Sequence, residues 1–367
     1  MTAKRVLTLG DHLGSIGGTE AAQLAVFQGL ARRGWEVHLL YVSRGDFWPE
    51  WQSLAATATE IGASLPTRAS PAASTAGALR AVFRGARIRP SVIYVHSAGH
   101  VPVALGMASV VRAPVVAHLH LPPPLRQPQW LNTLIRRASV VVVPSSDTAR
   151  RWTDAAALDP ARTTVVPTGI DPDRFVPLGD RERAEVRKGI GVGTDERMVL
   201  YAGRVEHNKG AHVLIEAVDH TPTPVHLVVC GDARDEAYLA GVEALMGVRN
   251  ATYLGRRTDV ASLMGAADLV VVPSSVAETQ GLVIGEALAC GTPVVAFDVG
   301  GIADSMSGFP DQLVGPGDTA QLAEAIERFA GWRRTDPGLG RRSRDWAVGH
   351  LSLDRSVEVL EGLISGA

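Results

Sequence analysis

Short apolar runs alternate with longer amphipathic stretches along the whole chain. In the first half the runs are RVLTLG, EVHLLYV, SVIYVH, VVAHL and SVVVVPS, and in the second MVLYAG, VHLVVCG, TYLG, DLVVVPS and PVVAF. Runs that are apolar on both faces and separated by helical segments predict the strands of parallel sheets. Between the first two runs, residues 19–33 place Leu24, Phe27, Leu30 and Ala31 on one helical stripe, with Thr19 positioned to cap it and Gly34 to end it. These pieces make a βαβ unit, and the alternation repeats to the end of the chain.

At 367 residues the chain exceeds the usual reach of one hydrophobic core, so two domains are expected. The segments ASVVVVPSS (138–146) and ADLVVVPSS (267–275) agree at seven of nine positions, which suggests two doubly wound domains of similar plan. Between them, VVPTGIDPDRFVPLGD (165–180) carries three prolines and two glycines and reads as a linker. Leu353, Val357, Leu360 and Ile364 form a late helical stripe whose partner surface cannot be read from spacing. A net charge of -2 gives no basic excess for a nucleic-acid partner. Cys230 and Cys290, the two cysteines, make no disulfide framework, so a reduced, cytoplasmic setting is the expectation. No secretory leader pattern opens the chain, and no apolar run approaches the roughly 20 residues of a bilayer span.

The segment AETQGLVIGEALACGTPVVAF (277–297) sets Glu278 and Glu286 eight positions apart. Over that interval a helix rises about 12 Å and turns about 80° out of alignment, so the two carboxylates do not converge on one bond. Gly281 and the preceding PSSVAETQ read as loop, which starts the helix near Leu282 and leaves its exposed amides between the two acids. Unsatisfied N–H groups and the positive end of the helix dipole attract phosphate there. A diphosphate flanked by hydroxyl-bearing groups fits, and a nucleotide sugar has that shape. In YAGRVEHNKGAHVLIEAV (201–218), Arg204 and Lys209 lie on a turn between a strand and a helix and can clamp a diphosphate. In GDHLGSIGGTE (10–20), Gly17 and Gly18 allow close backbone approach to a phosphate, while the spacing from Gly10 and Gly14 is wrong for a dinucleotide fingerprint. His118 and His120 end a strand, where α/β folds present ligand groups; no nearby Cys, Asp or Glu completes a metal site, and none is expected. His96 and His100 stand at a similar strand end with less to support them.

Taken together, GSIGGTE, LARRGWEVHLL, the His-ended strand, VVPTGIDPDRF, YAGRVEHNKG and VPSSVAETQGLVIGEALACGTPVVAFDVGG resemble the retaining glycosyltransferases of the GT-B fold, specifically glycosyltransferase family 4. The last segment carries the family's Glu-x7-Glu pattern. The resemblance implies two Rossmann-like parallel-sheet domains with a cleft between them. The acceptor domain would span 1–172 plus a returning helix at about 346–367, and the nucleotide-sugar domain 173–345. It implies that Arg204 and Lys209 hold the donor diphosphate, Glu278 contacts the transferred sugar and Glu286 the ribose hydroxyls. The amides of Gly281, Leu282 and Val283 would face phosphate and sugar, Gly17 and Gly18 would close over the same phosphate, and His120, more than His118, would help to place the sugar. Gln280 stands where the family usually has an aromatic and would give the donor pocket a polar contact; Thr168 replaces the linker's usual asparagine.

The implied reaction moves a hexosyl or N-acetylhexosaminyl group from a nucleoside-diphosphate sugar, a UDP-sugar foremost, to an acceptor hydroxyl with retention and without a metal or other cofactor. Two rival readings remain at this point. An inverting GT-B transferase or nucleotide-sugar epimerase would use a base such as His12, and a non-catalytic sugar-nucleotide binding protein would not need the full set of Arg204, Lys209, Glu278 and Glu286. The acceptor, a small molecule or a glycan, is not legible, because the stretches 43–75 and 121–130 carry no readable chemistry. The segment QWLNTLIRRA (129–138) reads either as a half-buried helix or as a membrane-facing one, the first being the expectation.

Overall fold

A computed structural model of the chain describes residues 4–14, 18–62, 71–247 and 250–366. The chain divides into two compact units, residues 1–169 with 353–367 and residues 170–352. The sequence placed the divisions at 172/173 and about 345/346. The later return follows from helix Leu339–Leu351, which packs on helix Leu282–Ala289 within the second unit.

The first unit is built on seven parallel strands: β1 (Arg5–Leu13), β2 (Glu36–Arg44), β3 (Thr57–Glu60), β4 (Val92–Val95), β5 (Val115–His118), β6 (Val140–Val143) and β7 (Thr163–Val165). Their order across the sheet is β3-β2-β1-β4-β5-β6-β7. Alternate residues of one strand enter separate cores: Ile93 and Val95 of β4 join Leu7, Leu9 and Ala117, whereas Val92 and Tyr94 join Val6, Leu39 and Val116. Both faces of the sheet are therefore covered, which is why β4 and β6 are apolar at every position. The late stripe finds its partner here. Helix Leu353–Gly366 packs Val357 against Gly29 of helix Gly18–Arg32, where an added Cβ would come within 2.6 Å of it.

The second unit carries β8 (Arg197–Ala202), β9 (Val225–Cys230), β10 (Ala251–Tyr253), β11 (Leu269–Val272), β12 (Val294–Phe297) and β13 (Leu313–Val314), in the order β10-β9-β8-β11-β12-β13 and again parallel. The echoed segments are not equivalent strands. One ends in β6, the sixth strand of its sheet in chain order, and the other in β11, the fourth of its own, so the repeat marks two similar buried strand ends. At the base of β11, Asp268 receives the fully buried Arg187 guanidinium together with Arg183, Arg333 and the Met198 amide. Cys230 and Cys290 are both buried free thiols.

Candidate functional site

In both sheets chain order reverses beside the first strand, between β1 and β4 and between β8 and β11. Open α/β sheets present ligand sites at the carboxyl ends of the strands flanking such a reversal. In the second unit the turns after β8 and β11 are pressed together there. Gly210 takes a left-handed conformation (φ 75°), and a Cβ on it would lie 1.9 Å from the Pro273 carbonyl oxygen, so no side chain fits between the two turns. The Ser275 amide donates to the Asn208 carbonyl at 3.0 Å across the same junction.

This packing delivers Lys209 to Glu278. The Lys209 ammonium pairs with Glu278 Oε1, and Ser274 Oγ donates to the same oxygen at 2.7 Å. The backbone of Glu278 is fixed as well: it bridges to Gly300, and its carbonyl accepts from the Gly301 amide at 2.7 Å. A Cβ on Gly300, itself left-handed (φ 61°), would come within 2.4 Å of that carbonyl oxygen. Arg204, on the β8 turn, is half exposed and pairs with Glu206 at 2.7 Å, while its carbonyl accepts from the buried Tyr201 hydroxyl at 2.6 Å.

Helix Leu282–Ala289 starts where the sequence placed it, with left-handed Gly281 at its N-cap. Glu278 lies before the helix and Glu286 in its second turn. Leu282 and Val283 are half-buried, and their amides belong to the first turn, which has no intrahelical acceptors. The Glu286 side chain makes no hydrogen bond or ion pair among the described residues, and burial pushes its carboxyl up to about 7 against the opposing pull of Arg174. Gln280 is buried, and its backbone carbonyl accepts from Ser305 Oγ at 2.9 Å.

In the first unit Gly17 lies outside the described residues, and Gly18 opens helix Gly18–Arg32. His118 ends β5, with His120 two residues beyond. Pairing of Tyr94 with Val116 and of Val95 with Ala117 carries His96, just past β4, abreast of them. His96 Nδ1 and His120 Nε2 lie 2.9 Å apart, His118 and His120 stack with centroids 3.8 Å apart, and His118 Nδ1 meets the Tyr94 hydroxyl at 2.8 Å. All three rings are buried, and burial holds them neutral, His120 at about 4 and the other two well below the ordinary histidine range. His100 Nε2 stands 3.0 Å from Asp11.

Two pairings escaped the sequence reading, which named His96 without its contact. Ser274, four residues before Glu278, shows itself only once the turn folds back, and His96 joins His120 through strand register across 24 residues. The segment 129–138 yields helix Gln129–Ile135, with Ile135 buried and Trp130 exposed. Among the described residues no helix is long and apolar enough to cross a membrane.

Residues 16–174 match the family model described as Glycosyltransferase Family 4, and residues 196–331 the model described as Glycosyl transferases group 1. The chain therefore carries the two domains of a glycosyltransferase of the family 4 type. It is similar to the D-inositol 3-phosphate glycosyltransferases of Mycobacterium tuberculosis and Mycobacterium bovis, with 36% identity over 217 residues, 56% of this chain and 44% of theirs. The matched part thus spans under half the length of those relatives.

Among solved structures, Anabaena HepE in complex with UDP and glucose is similar at a TM-score of 0.81 and 23% identity, covering 99% of this chain and 100% of that one. A glycosyltransferase from Rickettsia africae is similar at 0.85 and 18%, covering 99% and 98%. WaaG, a glycosyltransferase involved in lipopolysaccharide biosynthesis, is similar at 0.73 and 19%, covering 99% and 100%. These likenesses speak to the fold, which is GT-B.

Proposed function

We propose that the protein is a retaining glycosyltransferase that moves a hexosyl or N-acetylhexosaminyl group from a nucleoside-diphosphate sugar to an acceptor hydroxyl. The observation that carries this reading is the meeting of Lys209 with Glu278 beside the N-terminus of helix Leu282–Ala289, at the reversal point of the second sheet. Cleavage of the donor leaves negative charge on the departing diphosphate while the anomeric carbon becomes cationic. Lys209, Arg204 and the first-turn amides of Leu282 and Val283 supply positive charge and N–H donors for the diphosphate. Glu278, fixed by Ser274 and by its own backbone bonds, offers a carboxylate to the cationic sugar. Glu286 takes the ribose hydroxyls. In the proposed route the donor phosphate accepts the acceptor's proton on the face from which it leaves, and no metal is needed. Gly17, Gly18 and His120 enter this assignment on the family resemblance alone.

A UDP-sugar is the first donor to test, supported by the UDP-bound Anabaena protein, and a phosphorylated cyclitol the first acceptor, supported by the name of the mycobacterial relatives. Calorimetry with UDP tests the clamp. Lys209→Ala is expected to weaken UDP binding by about 1.5–3 kcal/mol, the range for hydrogen bonds to charged groups. Unchanged affinity in a folded variant would refute the assignment.

A further inference from the structure

We propose that His96, His118 and His120 form a binding site for a transition-metal dication of the zinc class in the first unit. One ring nitrogen of each lies within 4.8 Å of the others, and this is the one His, Cys, Asp or Glu cluster of that kind among the described residues. The sequence named all three of these histidines but did not bring His96 to the other two. It comes across from the neighbouring strand.

Three features favour a metal over a plain stack of rings. First, His96 Nδ1 and His120 Nε2 already face each other at 2.9 Å. Two nitrogens on one tetrahedral zinc at bonds of about 2.0–2.1 Å sit about 3.3 Å apart, so this pair needs to open by only a few tenths of an ångström, while the His118 ring, stacked on His120, must turn to bring its Nε2 to the same ion. Second, His118 Nδ1 is engaged by the Tyr94 hydroxyl at 2.8 Å, which aims the opposite nitrogen, Nε2, away from Tyr94. A hydrogen bond on the far ring nitrogen is how proteins orient a metal-binding histidine. Third, His118 Nε2 is buried and has no hydrogen-bond partner, on a residue only 1% exposed. A buried polar atom left unpaired costs about 1–3 kcal/mol, and a metal bond removes that cost at His118.

Three neutral imidazoles select the zinc, cobalt, nickel and copper group over magnesium or calcium, which take oxygen ligands. A fourth tetrahedral position is left for water or a ligand oxygen. Transfer does not require the ion. Its consequence is local: with Nε2 on the metal, His120 keeps its proton on Nδ1 and becomes a hydrogen-bond donor on that side.

The test uses the full chain stripped with chelator. Titration with Co2+ should give the visible absorption of a tetrahedral nitrogen-ligated ion at one equivalent, and Zn2+ should displace it, while Mg2+ should do neither. His96→Gln and His118→Gln should each abolish the signal, and Tyr94→Phe should weaken binding about 10- to 100-fold, the usual effect of losing an orienting partner. His207 and His212, whose rings lie 4.6 Å apart in the second unit, serve as the control, and replacing both with Gln should leave binding unchanged. Absence of one-equivalent binding by the wild-type protein would overturn the proposal, as would a signal that follows His207 and His212. If the two histidine variants fail to fold, the wild-type titration and Tyr94→Phe decide. None of these readouts involves a nucleotide sugar, so a negative result leaves the transferase reading standing.

Discussion

Glu286 makes the most specific prediction available at the scale of single residues. Its carboxyl sits at about 7, raised by burial, whereas a hydroxyl-accepting role calls for the carboxylate. Binding of a ribose diol therefore requires release of a proton below that pH, and UDP affinity should rise as pH climbs through about 7 and then level off. Glu286→Gln should bind more weakly at high pH and lose that rise, as read by calorimetry across the range. A pH profile identical to that of the wild type would remove Glu286 from the ribose. The sequence disclosed Glu278, Glu286, Arg204 and Lys209 because loop and helix signals around Gly281 fixed where the acids fall. It did not disclose Ser274 beside Glu278 or His96 beside His120. Those contacts come from a turn folding back and from strand register, neither of which leaves a local pattern.

Among the elements, β11 is held at both ends by different chemistry. Its outer end carries the Pro273 junction, and its base carries Asp268 with three arginines around it, Arg187 fully buried. Asp268→Asn leaves those guanidinium groups without their counter-charge. Removing one partner of a buried ion pair typically costs about 3–5 kcal/mol. Thermal and denaturant unfolding of the second unit should show a loss of that order, and a change below about 1 kcal/mol would mean that β11 is anchored by packing alone. The long apolar strands were legible because both their faces are covered. β3 (TATE), β7 (TTV) and β13 (LV) were not, for they are short edge strands, β3 and β7 lie half-buried to exposed, and their patterns do not differ from loop.

On the scale of the whole molecule, the chain leaves its first unit at Gly169 and re-enters it at Leu353. The returning helix buries Leu353, Val357, Leu360 and Ile364, and Glu361 receives Lys4, Arg33 and the Trp35 indole N–H. At about 1.5–3 kcal/mol for each buried aliphatic side chain, its removal costs roughly 6–12 kcal/mol, as much as a typical domain's stability. A chain ending at Ser352 should lose the unfolding transition of the first unit and keep that of the second, as followed by hydrogen exchange. Protection retained in β1, β2 and β4 would show that the first unit stands without the helix. The two-domain plan was legible from strand alternation and length, whereas the partner of the late stripe was not, since spacing shows that a helix has an apolar face without showing what covers it. The transfer proposed above retains configuration at the anomeric carbon through the Lys209–Glu278 pair. Its most direct test is proton NMR of the glycoside formed from an α-linked UDP-sugar. Retention gives an α-linked product, formed by the wild type and abolished in Glu278→Ala, and a β-linked product would rule retention out.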